Sequence, residues 1–172
     1  MNTATMNIVL TGLRGSGKTE LGKILAKKLK WKFIDLDDKI EKEDKMKIAK
    51  IVDLKGWEYF RAKESKIAAQ VATLDNTVIA TGGGTMIDKD NEKELKKNGK
   101  IIYLYRKPKD SIKYIENDPN RLPLTNHESI TEEVEQLYKE RNDRYIKSSN
   151  LIFHRTEDLN KDANELIKKF EL

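Results

Sequence analysis

Cysteine is absent from this 172-residue chain. That excludes disulfides, thiolate metal sites and a cysteine nucleophile, and it agrees with a reducing compartment. Long hydrophobic runs are missing too, so no segment has the length of a membrane span. The first residues lack a basic stretch followed by an apolar segment and a small-residue cleavage site, so a cytoplasmic location is expected. Internal repeats and low-complexity linkers are absent, and residues 1–172 read as one domain with a full core. Proline is scarce, and two of the three fall in a single stretch, "NDPNRLPLTNHES". Arginine is rare beside lysine, seven against 27, within a net charge of +5. The lysines alternate with glutamates in "KIEKEDKMK" and "NEKELKKNGK", as on solvated helix faces. A basic stripe interleaved with aromatics is lacking, which argues against a nucleic-acid interface.

What is present alternates between short apolar runs and longer amphipathic ones. "MNIVLT" and "VIAT" read as buried strands, and "KFIDLD", "KIIYLY" and "NLIF" as further strands. Between them, Leu21, Ile24, Leu25 and Leu29 line one helix face, and Phe60, Ile67, Val71 and Leu74 line another. "KIEKEDKMKIAKIVDLKG" predicts one or two helices ending at Gly56, and "PKDSIKYIE" a helix with proline near its start. "DKDNEKELKKN", "ITEEVEQLYKERNDRYIKS" and "DLNKDANELIKKF" complete the helices. Strands alternating with helices predict a parallel sheet in a three-layer α/β domain.

The stretch "GLRGSGKTELGK" carries the clearest chemistry. Gly12, Gly17, Lys18 and Thr19 match G-x-x-x-x-G-K-[ST] between a strand and a helix, the context such a motif requires. Its glycines let successive N–H groups point at phosphate oxygens, and the helix N-terminus adds partial positive charge. Lys18 is then expected to bridge the β- and γ-phosphates, with the Thr19 hydroxyl on Mg²⁺. The stretch predicts a nucleoside triphosphate site.

The acceptor side is less direct. "TVIAT" runs into Gly82, Gly83 and Gly84 with no carboxylate, offering bare backbone to something that approaches closely. Asp35 and Asp37, expected on one side of the second strand's C-terminal end, are the best-placed carboxylates. The alternative is a helix N-cap from Asp37 or Asp38. Arg61 sits between Glu58 and Glu64, either as an exposed ion-pair ladder or as a ligand contact. Arg141 shares a helical stripe with Val134, Tyr138 and Tyr145, so its charge calls for a carboxylate partner, internal or from a ligand. Arg121 lies in the proline-containing stretch, either as an ordinary surface arginine or as one that closes over phosphates.

Together, "GLRGSGKTELGKILAKKL", "FIDLDDKIE", "GWEYFRAKE", "IATGGG", "NRLPL" and "ERNDRY" resemble the shikimate kinase family over nearly the whole chain. The resemblance implies ATP-dependent phosphorylation of the shikimate 3-hydroxyl, with Mg²⁺, in aromatic amino-acid biosynthesis. It implies a P-loop kinase fold, a five-stranded parallel sheet in the order 2-3-1-4-5 with helices on both faces, and a mobile lid over about residues 117–129. Asp37, Arg61, Gly83 and Arg141 would contact shikimate, the two arginines on its carboxylate, and Gly82 and Gly84 would complete the wall. Glu64 would orient Arg61, and Asp35 would support Mg²⁺ through water beside Thr19. Gly15, Ser16, Gly17, Lys18, Thr19 and Glu20 would cradle the phosphates, with Arg121 as the lid arginine. The expected partner is a small-molecule substrate, with no nucleic acid and no membrane, and the chain is expected to be a monomer. Two positions depart from the family pattern: the lid reads Arg121-Leu122-Pro123-Leu124, and Lys113 and Tyr114 stand where an arginine near adenine is usual. Arg155 is a candidate for a C-terminal adenine contact. Other readings are a gluconate-type or nucleoside monophosphate kinase, a non-catalytic nucleotide-binding regulator and a basic RNA-binding module. Neither kinase alternative calls for the whole D-x-D, F-R and GGG set. Intact Lys18, Thr19, Asp35, Asp37 and Arg121 argue against a regulator, and the lack of aromatic interleaving argues against RNA binding.

Overall fold

An apolar strand without polar alternation must be covered on both faces. β1 (Asn7–Thr11) meets this requirement at the centre of a five-stranded parallel sheet, with every residue buried. Its neighbours are β3 (Thr77–Ala80) and β4 (Gly99–Tyr105), and the edges are β2 (Lys32–Asp35) and β5 (Leu151–His154). The order is β2-β3-β1-β4-β5, as the family resemblance implied. The computed structural model describes residues 6–119, 122–126 and 129–171.

Side-chain alternation along the strands sorts the core into two layers. Ile8, Leu10, Val78, Ile102 and Leu104 face α1 (Lys18–Leu29) and α7 (Leu159–Phe170), packing on Leu21, Leu25, Ala163 and Leu166. Val9, Ile79, Ile101 and Tyr103 point the other way. There they meet Phe60, Ile67 and Val71 of α3 (Ile48–Ala72) and Leu137 and Tyr145 of α6 (Ile130–Ser148). Three shorter helices, α2 (Leu36–Asp44), α4 (Lys89–Lys96) and α5 (Pro108–Ile115), complete the connections. Among the described residues no helix is long and apolar enough to cross a membrane.

Two boundaries differ from the sequence expectation or refine it. β2 stops at Asp35 rather than Asp37, because the Asp35 carboxylate accepts from the Asp37 and Asp38 N–H groups and so starts α2. α3 is two helical stretches meeting at Gly56, whose φ of 82° and ψ of 168° leave the helical region, so the break expected at Gly56 is present as a kink.

The chain leaves β1 toward β2 and β3 on one side of the sheet and reaches β4 and β5 on the other. Where these paths diverge, a crevice opens at the C-terminal strand ends.

Candidate active site

A cleft of about 740 Å³ fills that crevice. Its floor is the turn between β1 and α1, where Gly12, Gly15 and Gly17 take φ of 147°, 77° and 82°. Only glycine adopts such a succession without cost, and the turn delivers the chain into α1 at Lys18. Lys18 Nζ folds back over it, donating to the Gly12 and Leu13 carbonyls at 2.9 Å each. Burial lowers the Lys18 pKa to about 8, although the Asp37 and Asp35 charges oppose the shift. Ser16 is buried beneath the loop, and the exposed Glu20 stands at the cleft margin.

The two aspartates do not share a strand face. Asp35 ends β2 and caps α2 through Oδ1, while its Oδ2 accepts from the Thr19 hydroxyl at 2.6 Å. The cap is therefore Asp35, not Asp37 or Asp38. Asp37 belongs to the first turn of α2 and looks into the cleft, where its buried Oδ1 has no hydrogen-bond partner among the described residues. Burial raises its pKa to about 7, reinforced by the Asp35 and Glu64 charges. Helical geometry, not strand alternation, turns one carboxylate toward Thr19 and the other toward the glycines after β3.

Those glycines form one wall of the cleft. A Cβ on Gly82 would lie 2.9 Å from Glu64 Oε1 and 3.0 Å from Asp37 Oδ1. On Gly84 it would lie 2.6 Å from both terminal nitrogens of Arg61, and on Gly83 3.3 Å from Arg141 Nη1. Consecutive bare residues thus let two guanidinium groups and two carboxylates approach the same backbone. Arg61 is held by Glu64 at 2.7 Å, and the buried Glu64 also accepts from the Thr85 hydroxyl at 2.7 Å. Arg141 has no carboxylate partner among the described residues, whereas Arg144, one turn on, pairs with Glu92. Arg121 lies outside the described residues.

Three cleft arginines carried no assigned role or a different one. Arg106 donates to the Gly15 carbonyl at 3.3 Å and stacks on Tyr114, while Arg14 donates to the Leu122 carbonyl at 2.9 Å. Arg155, a candidate for adenine, instead donates to the Ser16 carbonyl at 2.6 Å. It is locked there by buried Asp162 at 2.7 Å. Their signal in the sequence was rarity alone.

A phosphate cradle and an acceptor wall meeting in one crevice place the chain among P-loop small-molecule kinases. Comparison with known proteins narrows this. The shikimate kinase family profile matches residues 14–171. A shikimate kinase of Caldicellulosiruptor saccharolyticus is 41% identical over 125 residues, 73% of either chain. One from Caldanaerobacter subterraneus subsp. tengcongensis is 37% identical over 164 residues, 95% of either chain. The solved structure of the Acinetobacter baumannii shikimate kinase in complex with shikimate superposes with a TM-score of 0.92 at 28% identity, covering 97% of this chain and 93% of that one. The chain belongs to the shikimate kinase family.

Proposed function

We propose that this chain transfers the γ-phosphoryl group of ATP to the 3-hydroxyl of shikimate, giving shikimate 3-phosphate and ADP for aromatic amino-acid biosynthesis. The observation that carries the choice of acceptor is the convergence of Arg61 and Arg141 on adjacent glycines, with Asp37 against the neighbouring Gly82. Two guanidinium groups match one carboxylate, and the unpartnered Asp37 oxygen matches a hydroxyl.

On this reading the N–H groups from Gly12 to Thr19, with Glu20 at the margin, hold the phosphates. Lys18 swings from its carbonyl contacts to the γ-phosphoryl, and Arg121 adds charge from the lid. The donor set for Mg²⁺ is the Thr19 hydroxyl with Asp35 beside it, oxygen ligands of the kind that ion takes. Bound there, Mg²⁺ would offset phosphate charge. Asp37 holds the acceptor hydroxyl in line and accepts its proton, while Gly82, Gly83 and Gly84 wall the ring. The reading includes a monomer acting in the cytoplasm without nucleic-acid or membrane partners, which sedimentation and fractionation check.

A coupled assay of ADP release against shikimate, gluconate, AMP and no acceptor tests the choice. Turnover confined to shikimate is expected, and turnover with gluconate or AMP alone would overturn it.

Arg61→Lys and Arg141→Lys each keep the charge but lose the two-pronged grip. Each should raise the shikimate KM about tenfold, roughly 1.4 kcal/mol, with the ATP KM little changed. Loss of thermal stability alone would leave these arginines with a structural role.

Residues 117–129 serve in this reading as the lid. Its stem is held at 2.9 Å by Arg14 on the Leu122 carbonyl and at 2.8 Å by buried Glu133 on the Leu124 N–H. Pro123, shifted by one from the family pattern, thus sits between two fixed neighbours. ATP analogue plus shikimate should protect this segment from proteolysis more than the analogue alone. Equal protection without ligands would mean a fixed loop.

A further inference from the structure

Tyr145 follows Arg141 by four residues on α6 and is fully buried. Its hydroxyl donates to the Gly83 carbonyl, 62 residues away in sequence. A buried phenol needs some partner. This one belongs to the glycine that Arg141 packs against. The Arg141 guanidinium also faces the hydroxyl, opposing the burial that pushes the phenol's pKa up to about 12. One oxygen therefore touches both halves of the acceptor wall.

The ring cannot swing away from that position. It lies on Tyr103 with centroids 5.1 Å apart, and the Tyr103 hydroxyl donates to Asn142 Oδ1 at 2.8 Å on the same helix. In a trans peptide the C=O and the following N–H point in opposite directions, and no cis peptide occurs among the described residues. Drawing the Gly83 carbonyl toward α6 thus aims the Gly84 N–H away from α6. Gly84 lines the cleft. Neighbouring glycines have wide torsional freedom, and Gly83 lies outside every strand and helix. The Tyr145 hydroxyl supplies the fixed point that the glycines themselves lack.

We propose that Tyr145 is a positioning residue for the acceptor, its hydroxyl fixing the Gly83–Gly84 peptide and the Arg141 guanidinium in one register. The proposal rests on the reading of Gly83 and Arg141 as acceptor-binding residues.

Tyr145→Phe deletes one oxygen and keeps the ring stacked. It should raise the shikimate KM about tenfold, the scale of one lost hydrogen bond, with a smaller change in kcat and the ATP KM held within about twofold. Tyr103→Phe deletes a buried hydroxyl bonded to the same helix but remote from the glycines, and it should leave both KM values unchanged. A Tyr145→Phe enzyme with a lower Tm and an unchanged shikimate KM would overturn the proposal. So would an equal rise in shikimate KM in both variants. The wild-type acceptor assay separates this from the broader reading. If the wild type uses gluconate instead, shikimate falls as substrate, and Tyr145 is judged by the same comparison with gluconate.

Discussion

Lys18→Ala should lower turnover at least about a hundredfold while ATP binding largely persists. On the proposed reading the loop would hold phosphates with main-chain N–H groups, which the substitution leaves in place, so binding and chemistry separate. What alanine removes is the ammonium folded over the loop, now resting on the Gly12 and Leu13 carbonyls at 2.9 Å. In phosphoryl transfer, charge grows on oxygens between donor and acceptor, and a preorganised ammonium stabilises it without solvent reorganisation. The lysine lies beside Asp35 and Asp37, whose charges partly offset the burial that lowers its pKa. Alanine therefore also leaves two carboxylates facing each other with less compensation, and the pKa of Asp37 should rise further. Calorimetry with an ATP analogue and single-turnover transfer to shikimate separate binding from chemistry. Near-wild-type transfer in the variant would end the kinase reading.

The sheet was legible because each strand is a short, largely apolar run bounded by polar segments. The run is continuous in β1 and β3, where both faces are buried, and weaker in the edge strands β2 and β5. Strand order was not legible from periodicity and came only with the family resemblance. The cradle from Gly12 to Thr19 is local chemistry, complete within eight consecutive residues. The aspartates show where local reading fails. Strand alternation predicted a shared face for Asp35 and Asp37, but capping by Asp35 ended the strand and put the two on different elements. A capping aspartate and a metal-side aspartate read as alternatives in sequence, yet the two oxygens of Asp35 serve α2 and Thr19 at once. Arginine scarcity proved a better pointer than any single neighbourhood. Arg14, Arg61, Arg106, Arg141 and Arg155 all line the cleft, against Lys18 and Lys47 among 27 lysines. Arg61 pairs with Glu64 three residues on, as the family resemblance implied. Other partners stayed hidden because they are long-range contacts, such as Arg155 with Ser16, 139 residues away. Tyr145 was visible only as one member of an apolar stripe; nothing in its spacing announces a bond to Gly83.

Asp37→Asn should lower turnover by about two orders of magnitude, within the range of lost general-base assistance. The amide can still position the acceptor hydroxyl but cannot take its proton. Burial, then the neighbouring Asp35 and Glu64 charges, raises the Asp37 pKa to about 7. A base must be ionised to act, so wild-type kcat/KM should fall as pH drops below about 7; Lys18, with a pKa of about 8, should end the plateau on the alkaline side. Asp37→Asn should lose the acid limb and keep the alkaline one. Stability supplies a second reading with a definite sign. The folded-state pKa lies above the reference value of 3.8, so the folded protein holds this proton more tightly. Stability is therefore lost as pH rises from about 4 to about 7 and stays low above that window. The asparagine variant escapes this loss and should melt higher than wild type at pH 8, with the difference shrinking toward pH 5. Asp35→Asn provides the contrast. Asparagine caps a helix as well as aspartate does, so α2 should persist, while the Mg²⁺ needed for half-maximal rate rises and the shikimate KM holds. An Asp37→Asn enzyme with unchanged turnover would remove Asp37 from the chemistry. One that only melts lower would make its carboxylate a support for α2, because a buried, unpartnered anion in the cleft can only be stabilised by losing its charge.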